Sequence, residues 1–123
     1  QIQFYLKLAI ISNDSKNLKA EIFALEKLSS LDTQNLDLKL NLAQKLTKQA
    51  FGIVTTKSRQ LVREILEVNS SQPDALYLAG LTAFQNDRSD LAQKIWLRIL
   101  ELDPNSEYKN LIEEKIINKT NTN

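Results

Sequence analysis

The chain has 123 residues, 42% hydrophobic and 25% charged, and contains no cysteine, histidine or methionine. Its length suits one domain, and sixteen basic against fifteen acidic residues leave a net charge of +1. These absences exclude His- or Cys-based nucleophiles, CxxC redox pairs, disulfides and ordinary zinc, copper or iron–sulfur sites. The two charge signs are interspersed, with no basic stripe of the kind that nucleic acid requires. Apolar runs are only a few residues long, far short of the roughly 20 that cross a bilayer. The chain starts inside a helical pattern, as a processed product or excised domain would, so any membrane anchor is expected outside it.

Two glycines leave little material for hairpin turns, and Leu, Lys, Ala, Gln and Glu favour helix. The expected fold class is all-α. In chain order the apolar periodicity predicts helices over 2–13, 16–31, 36–50, 56–68, 73–85, 90–102 and 107–118. Asn13-Asp14-Ser15, Thr55-Thr56 and Asn86-Asp87-Arg88-Ser89 are expected to supply turn and N-cap side chains. Pro73 suits a first helical turn, and Pro104 cannot continue a helix that ends near Leu102. The last helix is expected to place Leu111, Ile112 and Ile116 on one face as a solvating cap, followed by a polar tail from Lys119.

Three segments align: LEKLSSLDTQN from Leu25, VREILEVNSSQ from Val62 and IWLRILELDPNS from Ile95. Their matching Leu31, Val68 and Leu102 lie 37 and 34 residues apart, the period of a helix–turn–helix repeat. Residues 75–106 resemble a tetratricopeptide repeat. Counted from Pro73, that pattern falls on Leu76, Ala79, Gly80, Ala83, Ala92, Trp96, Ile99 and Pro104, with Ala83 departing from an aromatic position. A first repeat from Ile2 (Tyr5, Leu8, Ala9, Leu25, Leu28) and a second from Leu36 (Leu42, Ala43, Leu46, Val62, Ile65) are more degenerate. The resemblance implies an α-solenoid of three helix pairs, about 2–35, 36–72 and 73–106, with a capping helix over 107–118, all in one domain spanning 1–118.

Residues 35–118 also look like the tetratricopeptide domain of bacterial c-type cytochrome biogenesis factors, the heme-lyase interaction proteins of the CcmI and NrfG type. The residues that carry this are an insertion around Phe51-Gly52-Ile53, Ala83-Phe84 at the end of the fifth helix, Trp96, and the further amphipathic helix. In such a stack the second, fifth, ninth and twelfth positions of each repeat line a peptide-binding groove. Carried over, they are Leu6, Ile10 and Asn13, then Asp37, Leu40, Gln44 and Thr47, then Asp74, Tyr77, Leu81 and Phe84. Leu6, Ile10 and Leu40 have a second reading as helix-packing residues. Tyr77, Leu81 and Phe84 form a stripe at helical spacing. Trp96 reads as core, and Gly80 as a point of close helix approach. A chaperone-type carboxylate clamp would need cationic and amide groups at Leu6, Ile10, Asn41, Asp74 and Leu78, where only Asn41 fits, and Asp37 and Asp74 would repel a terminal carboxylate.

The resemblance implies a non-enzymatic module, without metal or other cofactor, that binds the C-terminal segment of an apocytochrome c and meets subunits of the heme-lyase complex. It also implies a periplasmic location, with any tether to the inner membrane lying upstream. No nucleic acid and no direct membrane insertion by this segment are expected. The alternative is a tetratricopeptide scaffold for another envelope, pilus or secretion assembly. Lacking Cys, His and Met, the usual heme ligands, the domain could hold an apocytochrome without competing for heme or forming mixed disulfides. The tripeptides Asn13-Asp14-Ser15, Asn69-Ser70-Ser71 and Asn118-Lys119-Thr120 match glycosylation acceptors, a match common by chance in an Asn-rich chain.

Overall fold

A computed structural model describes the backbone of residues 1–121 and the side chains of residues 1–116. The described residues form seven α-helices and no strand: α1 Ile2–Asp14, α2 Leu18–Leu31, α3 Leu36–Gln49, α4 Thr56–Val68, α5 Pro73–Gln85, α6 Ser89–Leu102 and α7 Lys109–Asn121. The protein is therefore all-α. Its chain divides into two compact units, Gln1–Ile65 and Leu66–Asn123, with the division falling within α4.

The local reasons for these helices recur along the chain. Helices α1, α3 and α5 end in one backbone device, in which a residue just past the C-cap takes a left-handed conformation and two amides turn back to orphan carbonyls. Lys16 (φ 60°), Phe51 (φ 56°) and Asp87 (φ 59°) occupy that left-handed position. The amides of Asn17, Gly52 and Arg88 then donate to the carbonyls of Ser12, Thr47 and Ala83 at 2.8, 2.9 and 2.8 Å. Helices α2, α4 and α6 are followed by Asp32, Asn69 and Asp103, whose carbonyls accept from the amides of Asn35, Gln72 and Ser106. These three residues repeat the spacings of 37 and 34 found between Leu31, Val68 and Leu102.

Side-chain capping follows the sequence in part. Asn35 Oδ1 accepts from the Leu38 amide, Gln72 Oε1 from Ala75, and Thr55 Oγ1 from Ser58, while Pro73 begins α5. Asn13-Asp14-Ser15 does not cap α2. Those residues close α1, the left-handed Lys16 intervenes, and Asn17 Oδ1 accepts from Ala20 so that α2 starts two residues later than expected. Likewise Asn86 and Asp87 belong to the end of α5, and Arg88 at the start of α6 makes no side-chain cap. Helix α7 begins at Lys109 rather than 107, because the chain first turns through Asp103 and Ser106, whose side-chain oxygens accept from Asn105 and Tyr108. It continues to Asn121, beyond the boundary expected at 118; of the polar tail only residues 122–123 lie outside the described backbone.

In the first unit α1 packs on α2 and α2 on α3, around Ile22, Ala24, Leu25, Leu28, Leu42, Ala43, Leu61, Val62 and Ile65. Ser58 is completely buried and donates to the Ala43 carbonyl at 3.2 Å, tying α4 to α3 through a polar contact that is satisfied. In the second unit α5 packs on α6 and α6 on α7, around Ala75, Leu76, Leu78, Ala83, Ala92, Trp96, Ile99 and Ile112. Trp96 is 1% exposed, and its indole Nε1 donates to the Tyr77 carbonyl at 3.1 Å. That approach depends on Gly80, where an added Cβ would stand 2.1 Å from Nε1 of the indole. On α7 only Ile112 of the expected apolar face is fully buried; Leu111 is 45% exposed and Ile116 half-buried.

Candidate functional site

The eleven residues singled out in the sequence fall into three environments. Leu6, Ile10, Asn13 and Asp37 are exposed, with Ile10 at 62%; Leu40 and Gln44 are half-buried. Thr47 and Leu81 are buried, contrary to a ligand-facing role. The Thr47 hydroxyl donates its proton to the Ala43 carbonyl at 2.8 Å, one turn back on its own helix. Leu81 joins the apolar interior of the second unit. Asp74, Tyr77 and Phe84 form the third group, and the chain itself engages them.

In the first unit α1, α2 and α3 enclose an open hollow of about 370 Å³, where Ile10 and Asn13 meet Ala9, Asp14, Glu21, Asn41 and Lys45. Glu21 is 6% exposed, and Lys45 Nζ lies 3.6 Å from its Oε1. A buried carboxylate held by one ammonium is a fixed polar floor, since losing either partner would leave a desolvated charge. Above it the two amide side chains, Asn13 and Asn41, carry both donors and acceptors suited to a peptide backbone. Ile10 supplies the apolar contact. Sequence reasoning missed Glu21 and Lys45. The repeat register contained the signal, because shifts of 37 and 34 place Glu21 over Ser58 and Ala92, making it a large charged residue where a small one stands elsewhere.

In the second unit the candidate residues of α5 lie in an aromatic ladder. Tyr77 stacks on Tyr108 with ring centroids 4.4 Å apart and planes 10° from parallel, and on Trp96 at 6.0 Å and 20°. Phe84 packs against Trp96 at 5.7 Å, and Lys115 Nζ of α7 sits 5.6 Å from the Phe84 centroid. The Tyr108 hydroxyl donates to Asp74 Oδ1. Burial pushes the Tyr108 phenol well above its ordinary value, and the hydrogen bond and negative charge of Asp74 push it further; burial alone raises Tyr77. Tyr108 was not among the sequence candidates, yet it lies 34 residues after Asp74, the distance between Val68 and Leu102.

Among the described residues no helix is long and apolar enough to cross a membrane, and no group of three or more acidic side chains could hold a metal ion. No protein-family model matches the sequence, and no curated protein matches it.

Proposed function

We propose that this chain is a non-catalytic, peptide-binding tetratricopeptide module of cytochrome c maturation, which takes the C-terminal segment of an apocytochrome c and holds it for the heme-ligation machinery. The resemblance of residues 75–106 to a tetratricopeptide repeat supports the class. So does the recurrence of the same helix terminators, Lys16, Phe51 and Asp87, at the end of every first helix. On this reading the three helix pairs are repeats of one solenoid, and α7 covers its last apolar face.

The observation that carries the binding role is Ile10, a large aliphatic side chain 62% exposed beside Asn13 and Asn41 in an open hollow. A helical or extended peptide would set an apolar anchor against Leu6 and Ile10 while the amides take its backbone. No bond is made or broken by the module. Burying one large anchor contributes about 1.5–3 kcal/mol before ordering costs, so several anchors are needed for a useful affinity.

Calorimetric titration with C-terminal peptides of an apocytochrome c tests this. The wild-type chain should bind with a Kd below about 100 μM, and Ile10→Asp and Asn41→Ala should each weaken binding about tenfold or more. No heat of binding, or binding indifferent to both substitutions, overturns the reading. Retrieval of pilus or secretion subunits from native extract, in place of heme-lyase components, would assign the module to another envelope assembly.

A further inference from the structure

The α3–α4 connection is built differently from its two counterparts. Residues 15–17 join α1 to α2 and residues 86–88 join α5 to α6, whereas residues 50–55 join α3 to α4. The longer connection buries Val54, at 7% exposure, and displays its two other large apolar side chains: Ile53 is 55% exposed and Phe51 97%. Phe51 also occupies the left-handed position that glycine usually takes, although glycine is the very next residue. An aromatic ring is thus held fully in solvent on a tight turn. The Phe51 amide donates to the Lys48 carbonyl at 3.1 Å, the Gly52 amide to Thr47 at 2.9 Å and the Ile53 amide to Ala50 at 3.1 Å, so the backbone beneath the ring is fixed.

The interspersion of charge read along the chain as a whole does not hold in the sequence on either side of this tip. Residues 38–63 carry six lysines and arginines and no aspartate or glutamate, leaving ten cationic against fifteen anionic residues in the rest of the chain. Lys39 and Lys45 pair with Glu64 and Glu21. The other four, Lys48, Lys57, Arg59 and Arg63, are exposed, and none of them forms an ion pair among the described residues. Arg59 and Arg63, one turn apart on α4, border one open hollow of about 350 Å³ with Thr56 and Gln60, and the Arg59 guanidinium donates to Thr56 Oγ1 at 3.0 Å. Lys48 and Lys57 flank the loop within one helical turn on either side.

We infer that the α3–α4 loop is a peripheral docking site for an anionic lipid surface, with Phe51 and Ile53 entering the headgroup layer and Lys48, Lys57, Arg59 and Arg63 meeting lipid phosphates. The apolar tip and the cationic side chains beside it are complementary to the two layers of such an interface, the acyl boundary and the phosphate plane; Lys57 also borders a hollow with Glu26 and Glu64, so Lys48, Arg59 and Arg63 carry most of that complementarity. Binding of an acidic protein or a nucleic acid through the same side chains is the competing outcome that the experiment below separates. Contact at headgroup depth needs no spanning helix, and it revises at Phe51 the expectation that this segment makes no membrane insertion. It is independent of what the hollow between α1, α2 and α3 binds.

Vesicle cosedimentation of the whole chain tests it, with phosphatidylcholine vesicles alone and with an equimolar mixture of phosphatidylglycerol and phosphatidylcholine. Wild type should partition onto the mixed vesicles and not onto phosphatidylcholine, with partition falling as salt rises. Phe51→Gly, which puts the preferred residue at the left-handed position and so keeps the fold, should reduce partition about tenfold. The Arg59→Gln/Arg63→Gln double variant should weaken it similarly and flatten its salt dependence. Because the chain has no cysteine, Ile53→Cys can carry a single environment-sensitive dye, whose emission should shift to the blue on mixed vesicles alone. The inference is overturned by no partition, by equal partition onto both vesicles, or by wild-type partition of Phe51→Gly. Arg59- and Arg63-dependent binding to an acidic polypeptide or oligonucleotide without vesicle binding also overturns it.

Discussion

Helices α1 and α5 carry candidate residues at matching spacings along the sequence, yet the structure treats them oppositely. On α1, Leu6, Ile10 and Asn13 are exposed, and Ile10 borders an open hollow. On α5, Asp74, Tyr77 and Phe84 are taken by Tyr108, Trp96 and Lys115, and Leu81 is buried. Register therefore fixes which face of a helix a residue occupies; the residues one period later decide whether that face is free. The α5 stripe is a folding element first, while the α1 face is where a substitution is expected to leave stability unchanged.

Stability measurements sharpen this contrast. In urea denaturation Trp96→Ala should cost about 3–5 kcal/mol, since it empties the centre of the second unit and releases the Tyr77 carbonyl. Gly80→Ala comes next, at about 1–3 kcal/mol, because the new methyl meets the rigid indole and not a flexible chain end. Tyr108→Phe should cost about 1 kcal/mol by removing the hydrogen bond to Asp74 from a part-exposed site. Ile10→Ala should stay within about 0.5 kcal/mol of wild type, and an Ile10 effect as large as that of Tyr108 would break the contrast.

The same contrast has a pH signature. Tyr108 holds its proton more tightly folded than unfolded, because burial and Asp74 disfavour the phenolate. Its contribution is thus complete below the unfolded phenol value of about 10 and is lost as pH rises through the elevated folded value. The melting temperature should fall as pH rises above about 10, and Tyr108→Phe should make that fall shallower. Equal slopes for the two proteins would mean that the ladder does not couple ionisation to folding.

The helices were legible because each carries its own local signals: apolar spacing, Pro73 at a start, and Asp or Asn after α2, α4 and α6. Their frayed edges were less so. Lys16 adopts a left-handed conformation that its residue type does not advertise, and this moved the cap of α2 from Asn13-Asp14-Ser15 to Asn17. Trp96 and Gly80 were legible one at a time, as a core side chain and a point of close helix approach, and the structure shows that they meet. The site was read less well, since Thr47 satisfies its hydroxyl on its own helix and Tyr108 reaches Asp74 from 34 residues away. The first relation is local, a threonine bonding back one turn, and was passed over; the second lies outside any local window, although the spacing of 34 contains it.

Helices α1, α3 and α5 all stop through amide-to-carbonyl bonds that make no demand on the identity of the turning residue beyond tolerance of positive φ. Lysine, phenylalanine and aspartate serve equally as that residue, each at roughly 1 kcal/mol relative to glycine. A terminator written in the backbone leaves the side chain open to variation, and the extra length between α3 and α4 shows that spacing can vary as well. Such joints are natural places for a helical protein to acquire new contacts: a substitution or a short insertion there alters what the surface presents while the helices on both sides keep their own ends.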